Sequence, residues 1–190
     1  MHAARANRRP HALALLGLVV ILALAAFALV YDDRASSAPP VEDYHDQGHW
    51  PGPNPTVCVQ DETRGFPVTE AAAEFAGTPV RFVVETDCSG YGNVVQVEPD
   101  INPDSTAAGW FRAQRDDDGY YESAMIWLNV DQAFRLDPHA WRMILVHELG
   151  HAAGLSHTDG HGSVMDPVDT SDADGLTDAD RAQLDELYAR

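Results

Sequence analysis

Residues 147–157 read HELGHAAGLSH, and no other stretch limits the fold so tightly. His147 and His151 are four apart, so on a helix their imidazoles leave one face a turn apart, within reach of a single ion. His157 cannot join them on a continuing helix, because it would stand about 9 Å further along the axis than His151. The chain must therefore leave the helix after His151 and turn back. Gly154 is the residue able to take the positive φ that ends a helix, after which Leu155 and Ser156 return His157 toward the other two. The upstream signals agree: Asp137 stands as N-cap and Pro138 at the first helical position, with no breaker before Gly150.

Three neutral imidazoles around Zn²⁺ leave the fourth tetrahedral position for water, the arrangement of a catalytic rather than a closed structural site. Zinc lowers the pKa of that water to about 7. Glu148, beside a ligand but not needed as one, can take a proton from the water and pass it to a leaving amine. The pattern predicts a zinc-dependent endopeptidase acting on protein or peptide substrates, with Glu148 as general base. The alternative is a binding or scaffold module that keeps zinc for structure, but such a module has no use for the carboxylate of Glu148. A zinc peptidase with a distant glutamate as third ligand is disfavoured by His157.

Of the 190 residues, 45% are hydrophobic, enough for one domain with a core. The net charge is −18 and the chain has no lysine, which argues against a nucleic-acid partner, since phosphates are bound through Lys and Arg. Residues 1–10 are basic, with Arg5, Arg8 and Arg9. The run Ala12–Tyr31, within segment 11–31, carries no charge and at about twenty residues can cross a hydrocarbon core of about 30 Å. Arginines before it and Asp32-Asp33 after it place the N-terminus in the cytoplasm and the remainder outside. This predicts a single-pass signal anchor and a membrane-bound extracytoplasmic domain. The alternative is a signal peptide cut after Ala26-Phe27-Ala28, giving a secreted protein.

Residues 32–56, rich in proline and serine, read as a linker in which His45 and His49 are solvated. The catalytic domain is expected over 57–190. Strands are predicted at 57–59, 79–86, 93–98, 123–130 and, more weakly, 108–113, the last followed by the hairpin turn signal RDDDGYY (115–121). Helices are predicted over 67–77, from Pro138 to the glycines, and from Thr177, where Asp180 can complete a capping box.

HELGHAAGLSH followed by SVMDP (163–167) resembles the metzincin superfamily, with its zinc helix and downstream Met-turn. Thr158, Val164-Met165-Asp166-Pro167 and the helix-like LTDADRAQLDELY (176–188) make the chain most similar to the matrixin branch. Pro167 stands where astacin-like and serralysin-like members carry a tyrosine. The resemblance implies an α+β metzincin-like zincin with a mixed sheet of about five strands, a long active-site helix, a Met-turn and a C-terminal helix. It implies that His147, His151 and His157 bind one zinc, that Glu148 is catalytic, that Met165 floors the ligands, and that Pro167 and Val168, with Asp169, wall the substrate pocket. Substrate would lie along the edge strand near Trp110–Arg112.

Two departures stand out. The only histidine between His49 and His147 is His139, so the second, structural zinc common in matrixins is not expected. The family's propeptide cysteine is also missing. Cys58 and Cys88 instead read as a disulfide of an exported domain. Calcium is possible but has no motif behind it: aligning Gly175 with the turn glycine of an EF-hand puts Thr170 and Arg181 at the first and twelfth positions. His161 reads as a solvated loop histidine.

Overall fold

In the computed structural model, residues 48–132, 135–158, 162–167, 170 and 172–189 are described. The chain divides into two units, Met1–Pro40 and Val41–Arg190. The first, with the apolar run 12–31, lies outside the described residues, and among those described no helix is long and apolar enough to cross a membrane.

Val57, Val59, Val95, Val97, Ile126 and Leu128 are fully buried. They alternate along three strands, as a sheet covered on one face requires. Those strands are β1 (Thr56–Asp61), β3 (Val94–Asp100) and β5 (Tyr121–Asn129); β2 (Arg81–Glu85) and β4 (Gly109–Arg115) complete the sheet. Its order is β2-β1-β3-β5-β4. The first four pair in parallel, and β4 runs antiparallel to β5 with Trp110 opposite Trp127 and Phe111 opposite Ile126. This is the expected α+β architecture with a mixed five-stranded sheet. Cys58 is buried too, and it is bonded to Cys88, thirty residues away.

The hairpin is longer than the sequence suggests. β4 continues two residues past Ala113 and β5 begins at Tyr121, because cross-strand pairing carries the ladder to the turn, where Asp116 accepts from the amides of Asp118 and Tyr120. Helix α1 is shorter than expected, Val68–Ala73. Beyond it the chain tightens into i→i−3 bonds, from Phe75 N to Ala72 O and from Ala76 N to Ala73 O, which bring Phe75 into the core. Arg181 donates to the carbonyls of Glu74 and Ala76 and so ties the C-terminal helix to this end of α1.

Helix α2 (Pro138–Ala153) starts and stops where the sequence indicates. Asp137 accepts from Ala140 N at 2.8 Å, and Gly154 ends the helix with φ 100°. Its second half is buried on nearly every side, including Glu148, Leu149, Gly150, His151, Ala152 and Ala153. Helix α3 (Asp178–Tyr188) opens with the expected Thr177–Asp180 capping box.

The linker expectation for residues 32–56 needs correction at its end. Gly48 and Trp50 are buried, Trp50 completely. The ring of His49, read above as solvated, packs edge-on against Tyr120 and Tyr188. The packed domain therefore begins before residue 57. The indole of Trp50 finds a buried hydrogen-bond acceptor and an aromatic neighbour, and these outweigh the local preference of a proline-rich segment for solvent. His45 and His161 lie outside the described residues.

Candidate metal centre

Helix α2 supplies His147 and His151 one turn apart, and the Gly154 turn brings His157 back to them. Their Nε2 atoms lie 3.1, 3.1 and 3.3 Å from one another. Among the described residues this is the one group of three or more such side chains able to hold a metal ion.

The protons of the two helical rings can be placed by elimination. A carbonyl oxygen has none to give, so His147 Nδ1 donates to Val164 O at 2.7 Å and His151 Nδ1 donates to Leu155 O at 2.9 Å. A neutral imidazole carries one proton, which leaves each Nε2 a bare lone pair facing the others. Burial keeps these rings neutral. It is the main cause that lowers His147 to about 4, with His157 adding to the effect, and it holds His151 well below the ordinary value, with His147 adding there.

Lone pairs packed this closely repel unless a cation lies between them. Tetrahedral ligands about 2.0–2.1 Å from zinc are themselves about 3.3 Å apart, so the spacing and the all-nitrogen donor set fit zinc. The same hydrogen bonds show what aims the rings: Val164 belongs to the Met-turn and Leu155 to the helix exit.

Met165 is fully buried, and a Cβ on Gly150 would meet its sulfur at 2.4 Å. The Met-turn is held by Thr158 N donating to Met165 O and by Ser163 Oγ, which accepts from Met165 N and donates to Asp180. Asp180, 1% exposed, also accepts from Thr177, so the cap of α3 and the Met-turn share one carboxylate. Pro167 is exposed, while Val168 and Asp169 lie outside the described residues.

Glu148 is buried beside the ligands, and burial pushes its carboxyl up to about 8. It faces the start of edge strand β4: a Cβ on Gly109 would lie 3.1 Å from Glu148 Oε1 and 3.2 Å from Ile144 Cγ2. The absence of a side chain at Gly109 therefore lets the strand approach the carboxylate. Sequence reasoning passed over Gly109 and Trp50, although a glycine opening a strand signals close backbone approach and a tryptophan among prolines is out of place in a solvated linker.

Compared with known families, residues 102–189 match the family model described as Matrixin. The match takes in β4, β5, α2 and α3, and stops short of β1–β3. No curated protein matches the chain.

Proposed function

We propose, for a chain whose residues 102–189 match the matrixin family model and carry the three-histidine group, that its activity is zinc-dependent endoproteolysis with Glu148 as the proton carrier. The observation that carries this reading is the position of Glu148, a buried carboxylate beside the three-histidine group and against the opening of edge strand β4. A zinc site kept only for structure gains nothing from it.

His147, His151 and His157 would hold the zinc, which would supply a Lewis acid and lower the pKa of a bound water to about 7. The Glu148 carboxylate takes a proton from the attacking water and delivers it to the nitrogen of the leaving amine. Burial raises its pKa, which favours taking up a proton, and a nearby cation would lower it, which favours giving the proton back. Met165 and the carbonyls of Val164 and Leu155 hold the imidazoles in place. The peptide lies extended beside β4 near Trp110–Arg112, pairing with the free edge of the sheet. Pro167 borders the pocket for the side chain after the cleaved bond.

Glu148→Gln should keep zinc and the fold but lose peptide hydrolysis by about 10² to 10⁴-fold. Metal analysis paired with turnover of a peptide library checks this, and full turnover in the variant overturns the mechanism. Zinc bound with no library peptide cleaved by the unmodified protein would favour a scaffold instead.

The uncharged run Ala12–Tyr31 serves in this reading as an uncleaved anchor, with the peptidase domain outside the cell. Protease applied to intact cells should then remove the domain. A secreted product beginning near Leu29 overturns the anchor.

A further inference from the structure

We propose that Gly48–Trp50 form a strap that holds the exit of the zinc helix, with Trp50 as a positioning residue for the metal site; this rests on the zinc reading above. The last carbonyls of an α-helix have no helical N–H to meet them, and each buried one needs another donor. At the end of α2, Gly154 N donates to His151 O, and three aromatic side chains donate to this and the next two carbonyls. Tyr121 OH donates to His151 O at 3.1 Å, Trp50 Nε1 to Ala152 O at 2.7 Å, and Tyr188 OH to Ala153 O at 3.0 Å. Trp50 N in turn donates to Tyr188 OH at 3.3 Å. The indole of Trp50 therefore serves Ala152 O directly, and the backbone of the strap supports the hydroxyl that serves Ala153 O.

The strap fits its slot closely. A Cβ on Gly48 would lie 2.5 Å from Gly119 O and 2.7 Å from both Arg115 Cδ and Tyr121 Cε1, so only glycine passes there. His49 O accepts from Tyr121 N at 2.9 Å, which adds the strap to the end of the β4–β5 hairpin. The Trp50 ring stands edge-on to Tyr121, with centroids 5.3 Å apart. On its other side the strap reaches the helix exit, where a Cβ on Gly154 would meet Gly48 O at 3.1 Å and His49 Cβ at 3.3 Å.

That exit places two of the three metal ligands. His151 sits in the last turn of α2, and its ring is aimed by Leu155 O. His157 follows the same turn by three residues. Loosening the turn therefore disturbs two imidazoles together.

The test uses the full chain with Trp50→Phe, which retains a ring against Tyr121 and removes the indole N–H. Three quantities are read: the rate of zinc release to a chromogenic chelator, kcat and KM separately, and the thermal midpoint of the metal-free protein. Val59→Ala, in the core on β1, is the control for a general loss of stability. Zinc release should be about ten- to a hundredfold faster in Trp50→Phe, the usual effect of removing a group that orients a metal ligand. The control should lower the metal-free midpoint and leave zinc release as in the unmodified protein. If Trp50→Phe does not fold, Tyr188→Phe removes the donor to Ala153 O, keeps its ring, and should show the same acceleration. Release from the variant no faster than from the unmodified protein, or no faster than from the control, overturns the strap. Failure of the unmodified protein to bind zinc overturns the peptidase reading instead, so the two failures are distinct.

Discussion

At the scale of single residues, the site combines groups whose protonation is set mainly by burial, and their effects on stability have opposite signs. In the metal-free protein Glu148 is raised from 4.5 to about 8. Between those values the folded chain holds a proton that the unfolded chain has lost, so this contribution to stability falls as pH rises through the window. His147 is lowered from 6.5 to about 4. There the unfolded chain holds the extra proton, so its contribution rises with pH across the window and is lost on acidification; His151 acts in the same direction. Between pH 6.5 and 8 Glu148 acts without opposition from these histidines. The thermal midpoint of the metal-free protein should decline over that range, and Glu148→Gln should flatten the decline. With zinc bound the decline should disappear, because a nearby cation favours the ionised carboxylate. Calorimetry of both proteins across the range, with and without metal, decides the matter, and equal slopes for the two metal-free proteins would contradict it.

At the scale of elements, the two ends of α2 make different demands. The start has a solvent-side cap, Asp137 accepting from Ala140 N. Asp137→Ala should lower stability by about 1 kcal/mol with kcat and zinc content unchanged. The exit is buried. Gly154 has φ 100°, and a Cβ there would meet Leu187 Cδ2 at 2.6 Å and the strap at 3.1 Å. Gly154→Ala combines a left-handed backbone penalty of about 1–2 kcal/mol with those clashes. It should exceed Asp137→Ala in denaturant unfolding and also lose zinc, since His157 depends on the turn. Retention of zinc in Gly154→Ala at the unmodified level would show that the turn does not place the third ligand.

For the whole molecule, the disulfide and the metal site lie on separate parts of the fold. The Cys58–Cys88 bond joins β1 to the chain after β2 and closes a loop with a sequence separation of 30, worth about 3–4 kcal/mol on the loop-entropy model. The zinc group is built from α2, its exit and the Met-turn. Cys58→Ala with Cys88→Ala should therefore lower the thermal midpoint substantially while zinc release at 25 °C stays close to that of the unmodified protein. Much faster zinc release in this variant would mean that β1 and β2 support the metal site after all.

Much of this organisation was legible before any coordinates, and for one physical reason: where geometry depends on neighbours a few residues away, sequence spacing specifies it. The i, i+4 histidines, the Asp137-Pro138 start, the glycine exit and the Thr177–Asp180 capping box are all local, and each lies where the spacing indicates. The pairing of Cys58 with Cys88 could be inferred from two cysteines in a domain expected to be exported. Tertiary structure alone decided what depends on distant partners. Nothing near Trp50 in the chain shows that its indole meets Ala152 O, 102 residues on, or that Gly48 slides between Arg115, Gly119 and Tyr121. Nor does the sequence around Gly109 reveal the Glu148 carboxylate against which it opens. Residues 48–50 have the local composition of a linker, and only the buried acceptors and rings at the end of the zinc helix, assembled from elements far apart in the chain, make them part of the domain.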